Sequence, residues 1–310
     1  IDLPTEVELA KQWNAAGIGL YRSECLYMKM SPNLPTEMDH LEAYREIATD
    51  MSPFPVTIRT FDLGGRKLAR EVIGSTEANP VLGLRGIRLC FSQPDFFRTQ
   101  LRALVRLAGE FEPGRVRIMF PLIGGIEEFR IARLLFQKIT DEVRAEGHPV
   151  NLEVPLGAMV EVPSIAVMAR ELAREADFLS IGTNDLIQYS LAVDRSNELV
   201  AHLYRPTSPA ILRLIAKVVE AGAEAGIPVS MCGEMAADPL MVPVLLGIGL
   251  EHFSMNPQAA PVVRALVRQL SYRESIHLAR QACKMATARD VEEFLLEKLA
   301  ISLAKIKIRV

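Results

Sequence analysis

A small set of side chains in this sequence has the types and the placement to do chemistry together. Arg22, Arg59 and Arg195 offer planar, permanently charged forks that match phosphate and carboxylate oxygens. Glu161 and Asp185 are two carboxylates that follow neighbouring apolar runs. One or two protein carboxylates, completed by waters and substrate oxygens, is the usual way to hold Mg²⁺. Cys232 stands in the run Met231-Cys232-Gly233-Glu234 with no histidine beside it. That context favours a proton donor or acceptor over a protease-type nucleophile. The set describes a small, multiply anionic substrate, a metal and one acid/base group.

Each residue has a plainer reading. An arginine at the end of a strand is most often a surface ion-pair partner. Glu161, with Pro163-Ser164 close behind, and Asp185 could each cap a helix. A single cysteine after an apolar run is usually a small buried residue, which suits Cys90 and Cys283. Glu24, Asp62 and Glu234 read as groups that orient arginines or ligands. The functional reading gains weight because the candidates share one topological position.

That position is the C-terminal end of short apolar runs, at 17–22, 56–61, 116–121, 157–162, 178–182, 229–232 and 252–255. None alternates with polar residues, as expected of strands buried on both faces. Between them lie amphipathic helices. Leu101, Leu104, Val105 and Ala108 make one apolar face, and Leu212, Ile215, Val219 and Ala223 another. Ser208-Pro209 and Asp238-Pro239 read as helix starts, Gly147 and Gly226 as helix ends. Strands alternating with helices give an α/β fold with a parallel sheet. Charged strand ends converge only if the sheet closes, so the expected fold is a (β/α)₈ TIM-type barrel. The chain enters a helix over 6–16 almost at once, so the first of the eight strands is expected to be truncated or missing before Ile1.

At 310 residues with 49% apolar side chains, the chain supports a large core, and no low-complexity linker divides it. A net charge near −3 without a basic tail excludes nucleic acid as the main partner. No apolar stretch is long enough for a membrane span, and the N-terminus lacks the pattern of a signal peptide. Four dispersed cysteines without a CxxC pair suit a reduced cytoplasmic interior.

The motifs around these residues are more specific than their types. GIGLYRSE (17–24), TIRTFDLGG (57–65), NPVLGLRGIR (79–88), RIMFPLI (117–123), MVEVPS (159–164), SIGTNDLIQY (180–189), LAVDRSN (191–197), MCGEMAADP (231–239) and GLEHFSMNP (249–257) stand in order along the chain. In these runs the sequence resembles the C-terminal domain of enzyme I of the phosphoenolpyruvate:sugar phosphotransferase system. The resemblance implies that Arg22, Arg59 and Arg195 grip the phosphate of phosphoenolpyruvate (PEP), with Arg85 also in the substrate site. It implies that Asn184 and Asp185 hold the substrate carboxylate and metal, and that Glu161 and Asp185 ligate Mg²⁺. Cys232 would protonate C3 of the enolpyruvate. The phosphoryl group would pass to a histidine on an N-terminal domain that also serves the phosphocarrier HPr. No histidine here lies in a matching glycine-rich motif, so that domain is expected to be absent and 1–310 to be a single PEP-binding barrel domain. Residues 271–310 are expected to be C-terminal helices, with a stripe at Leu296, Leu299, Leu303 and Ile306. A homodimer follows from the resemblance alone.

Some positions depart from the family pattern. Arg66 stands where an acidic residue is usual, Cys25 where an aromatic is, Ser196 and Ala237 where glycine is common, and Asn256 where serine is frequent. Related readings also use this barrel. They are the PEP/pyruvate domain of pyruvate phosphate dikinase or PEP synthase, a Mg²⁺-dependent aldolase or lyase, and a non-catalytic PEP-sensing dimerisation module. The number of arginines weighs against the lyase, and Cys232 against the sensor.

Overall fold

The computed structural model describes residues 1–31, 33–62 and 79–305. Leu63 to Lys67, which include the unusual Arg66, lie outside the described residues. The seven apolar runs form the seven strands found among those described: β1 (Ile18–Arg22), β2 (Val56–Arg59), β3 (Val116–Phe120), β4 (Leu156–Val160), β5 (Phe178–Ile181), β6 (Val229–Met231) and β7 (His252–Phe253). They are ordered as in the chain, and helices separate them in sequence. This is the α/β pattern of a TIM-type barrel, as expected. The chain divides into two compact units, Ile1–Met159 and Val160–Val310.

In the first unit β1 to β4 pair in parallel, with Ile18 opposite Val56, Ile58 opposite Ile118 and Ile118 opposite Leu156. All residues of β2 and β4 are buried, which is why those runs show no polar alternation. Ile1 lies along β1: its amino group donates to Leu20 O at 2.8 Å, and Arg22 N donates to Ile1 O at 3.1 Å. The first helix, Glu6–Gln12, is shorter than its apolar pattern suggests, because Asn14 takes φ 51° and turns the chain. The helix Pro94–Gly109 buries Leu101, Leu104, Val105 and Ala108 as expected. Gly147, at φ 89°, follows the helix Ile126–Ala145. Phe61 stacks edge-on between Tyr27 and Phe96, at centroid distances of 4.3 and 4.6 Å.

In the second unit β5, β6 and β7 pair in parallel, with Leu179 opposite Val229 and Ser230 opposite His252. Pro209 opens the helix Pro209–Ala225 and Gly226, at φ 71°, closes it. Its buried face is Ile211, Leu212, Ile215, Val218, Val219 and Gly222, whereas Ala223 is exposed. The last turn presents Gly222 because a Cβ there would lie 2.2 Å from Val229 Cγ2. Asp238-Pro239 starts a turn rather than a helix. Asp238 Oδ1 accepts from Leu240 N at 2.8 Å, and the helix begins at Val242. That helix, Val242–Ile248, meets Tyr272–Ala282 so closely that a Cβ on Gly247 would lie 1.8 Å from Ser275 O. The final helix, Ala288–Lys305, buries Val291, Leu295, Leu299 and Leu303. Leu296 lies beside that stripe, and Ile306 is outside the described residues. No helix among the described residues is long and apolar enough to cross a membrane.

Candidate active site

The first unit carries a buried network of two arginines and two carboxylates. Arg59, the last residue of β2, reaches Glu24 Oε1 at 3.2 Å and Asp62 Oδ2 at 2.9 Å. Asp62 also takes the guanidinium of Arg85, with Nη2 3.0 Å from each of its oxygens. Gly86, at φ 54°, allows this approach: a Cβ there would lie 2.8 Å from Leu122 Cβ and 3.1 Å from Asp62 Oδ1. Glu24 is fixed in turn by the backbone, since Asp62 N donates to its Oε1 at 2.7 Å. Arg22 does not join this network. Its side chain is 47% exposed and pairs with Asp2 at 3.4 Å.

Behind the network lies a chain of buried polar groups. Gln100 Oε1 accepts from Phe61 N at 3.0 Å, and its Nε2 donates to Ser23 Oγ and Tyr44 OH at 3.0 and 2.9 Å. Ser23 Oγ donates to the carbonyl of Arg59 at 3.0 Å. The Gln100 side chain thus holds the end of β2 from both sides. Beyond it, His40 bridges Tyr44 OH at 2.8 Å and Tyr27 OH at 2.9 Å. Burial pulls the His40 imidazole down to about 4, so at neutral pH the ring is uncharged, donating at one nitrogen and accepting at the other.

The second unit arranges its candidates around the start of the helix Thr183–Leu191, which follows β5 after Gly182 alone. Glu161, one residue beyond β4, is 2% exposed. One of its carboxylate oxygens lies within 4.8 Å of one from Asp185. Asp185 Oδ1 accepts from Gln188 Nε2 at 3.3 Å, and Gln188 Oε1 accepts from Arg195 N at 3.1 Å. Asn184 is held twice by Glu234: Asn184 Nδ2 donates to Glu234 Oε1 at 3.2 Å, and Glu234 N donates to Asn184 Oδ1 at 3.0 Å. Arg195 Nη1 donates to the same Glu234 oxygen at 3.3 Å. Cys232 sits at the end of β6, with its N–H on Ile181 O at 3.1 Å and its thiol 3.7 Å from that carbonyl. The Asn184 carbonyl accepts from Tyr204 OH at 3.4 Å, and burial pushes that phenol up to about 12.

Two close carboxylates, one of them deeply buried, fit a divalent cation better than an apolar ligand or an anion. Gln188, Tyr204, Gln100 and Ser23 were not singled out from the sequence. Gln188 was findable, since it lies three residues after Asp185 and four after Asn184 on one helix face. The partners of Gln100 and Tyr204 are too distant in sequence for spacing to reveal them.

The α/β fold is of TIM type, and it carries arginines, carboxylates and a thiol at its strand ends. The family model described as "PEP-utilising enzyme, PEP-binding domain" matches residues 1–272, and the chain belongs to that family. It is 45% identical over 304 residues to the phosphoenolpyruvate-protein phosphotransferase of Bacillus sp. (strain S), covering 98% of this chain and 52% of that protein. It is 44% identical over 304 residues to the protein of the same description from Geobacillus stearothermophilus, with the same coverage. It is 45% identical over 296 residues to that of Staphylococcus carnosus (strain TM300), covering 96% and 50%. The chain therefore spans about half the length of these curated relatives. Among solved structures, a malate synthase from Haloferax volcanii in a lead(II) complex matches with a TM-score of 0.52 at 12% identity, covering 98% of this chain and 82% of that one. That likeness is one of fold alone.

Proposed function

We propose that this chain is the PEP-binding catalytic part of a phosphoenolpyruvate-protein phosphotransferase. The observation that carries the reading is the 45% identity to a protein of that description, spread over 98% of this chain. In the proposed reaction the bond between the phosphorus and the enol oxygen of PEP breaks. The phosphoryl group passes to a histidine nitrogen on a phosphohistidine domain. The enolate left behind takes a proton at C3 and leaves as pyruvate. Phosphoryl transfer of this kind depends on positioning and on offsetting charge.

Arg22, Arg59, Arg85 and Arg195 are assigned to the phosphate oxygens, and Asn184 with Asp185 to the substrate carboxylate. Arg59 and Arg85 are suited to this because their carboxylate partners already fix their orientation. Cys232 is assigned as the C3 acid, its thiol proton moving to carbon. Glu161 and Asp185 are assigned to Mg²⁺, which when bound supplies positive charge to the phosphate and enolate oxygens. The reading places the protein in the cytoplasm, as a homodimer that serves HPr through the phosphohistidine domain. The whole of 1–310 would act as one PEP-binding domain.

Calorimetry of PEP binding tests it, with and without Mg²⁺, on this chain and on Arg195→Ala. Mg²⁺-dependent binding that the substitution weakens more than tenfold supports the reading. A chain that is folded by circular dichroism but binds no PEP at any Mg²⁺ concentration overturns it.

A further inference from the structure

The carboxylate of Glu234 occupies the two donors that the proposed function gives to an anionic substrate. Its Oε1 accepts from Asn184 Nδ2 at 3.2 Å and from Arg195 Nη1 at 3.3 Å. A single carboxylate oxygen between an amide and a guanidinium is what a bound carboxylate or phosphate oxygen would supply. The backbone beneath it is pinned. Gly233 packs against the first residue of the helix Thr183–Leu191, where a Cβ would lie 1.8 Å from Thr183 Oγ1, and Glu234 N is bonded to Asn184 Oδ1. The side chain, by contrast, is 80% exposed.

Burial separates Glu234 from the acids of the other network. Asp62 and Glu24 are 2% and 9% exposed at their side chains; Asp62 pairs with Arg59 and Arg85, and Glu24 with Arg59. Neither can leave its arginine without stranding charge in the interior. Glu234 can swing into water at little cost, because an ion pair this exposed contributes little.

We propose that Glu234 is an internal anion that competes with substrate for Asn184 and Arg195 and must turn aside for PEP to bind. Glu234 therefore sets the affinity of the site instead of building it. This inference rests on the proposed PEP-binding function. It also differs in sign from an orienting role, in which removing the carboxylate would loosen Arg195 and weaken binding.

The test is PEP titration by calorimetry in Mg²⁺ at low ionic strength, on this chain and on Glu234→Gln. The expected result is binding tightened about two- to fivefold, with the gain shrinking as salt screens the pair. Equal or weaker binding by Glu234→Gln overturns the proposal. If that variant does not match the parent in thermal unfolding, Glu234→Ala is titrated in its place and read in the same way. Failure of the parent chain to bind PEP would instead overturn the functional reading, so the two failures are distinguishable.

Discussion

Asp62 meets Arg85 through both carboxylate oxygens, with Nη2 3.0 Å from each and Nε 3.3 Å from Oδ1. The same carboxylate takes Arg59 at 2.9 Å, so one buried acid is shared by a buried and a part-buried guanidinium. Removing it leaves Arg59 its pair with Glu24. Breaking a buried pair by deleting one member typically costs about 3–5 kcal/mol. Asp62→Ala is expected to lose about that much stability in urea unfolding. A loss below about 1 kcal/mol would mean that other groups or water supply the counter-charge.

His40 gives the fold a pH dependence whose sign is fixed. Unfolded, its imidazole protonates near 6.5; folded and buried between two tyrosines, it waits until about 4. Between those values the unfolded chain binds more protons, so stability is full above pH 6.5 and falls as pH drops toward 4. The gap corresponds to at most about 3 kcal/mol. Urea unfolding from pH 7.5 to 4.5 should show this slope, and His40→Gln should flatten it. An unchanged slope in the variant would assign the acid sensitivity to carboxylates alone.

Gln100 links stability to the site. Gln100→Leu removes the acceptor of Phe61 N–H and the donor to Ser23 and Tyr44, all of them buried. Leaving a buried polar group without its partner costs about 1–3 kcal/mol. The expected result is a loss of that size together with several-fold weaker PEP binding, because Ser23 and Phe61 flank the backbone of Arg59. Lost stability with unchanged affinity would make Gln100 a core residue only.

Gly233→Ala is expected to reduce PEP affinity more than tenfold. The new methyl group would lie 1.8 Å from Thr183 Oγ1 and 2.8 Å from Thr183 N, so the start of the helix carrying Asn184 and Asp185 must shift. Overpacking of this kind costs about 1–3 kcal/mol in stability. Adding Thr183→Ala relieves the side-chain part of the clash and should restore some of both losses. A double variant no better than Gly233→Ala would place the strain in the backbone contact instead.

The strands were legible because buried parallel strands leave uninterrupted apolar runs, and each run became a strand. Helix edges were less legible, for local reasons. Asp238-Pro239 has the composition of a helix start, yet the Asp238 side chain closes a turn first. Ala223 continues an apolar period that Gly222 ends by packing against Val229. Arg59, Arg85, Glu161, Asn184, Asp185, Arg195 and Cys232 were found as types at strand ends or in motifs. Glu24, Asp62 and Glu234 were read as groups that orient arginines or ligands, but which residue each meets was not legible, because Glu234 meets Asn184 across 50 positions and, behind the site, Gln100 meets Ser23 across 77. Arg22 shows the opposite limit: its position beside the other arginines was plain, while its contact with Asp2 was not.

The contact between Gly247 and Ser275 has a practical meaning for anyone trimming this protein. The family match stops at residue 272, on the first turn of the helix that Gly247 abuts. A boundary drawn there would remove most of Tyr272–Ala282, including Ser275, and with it the surface on which Gly247 packs. The helix Tyr272–Ala282 is thus part of the packing of the second unit, and the edge of a recognisable motif is a poor place to cut.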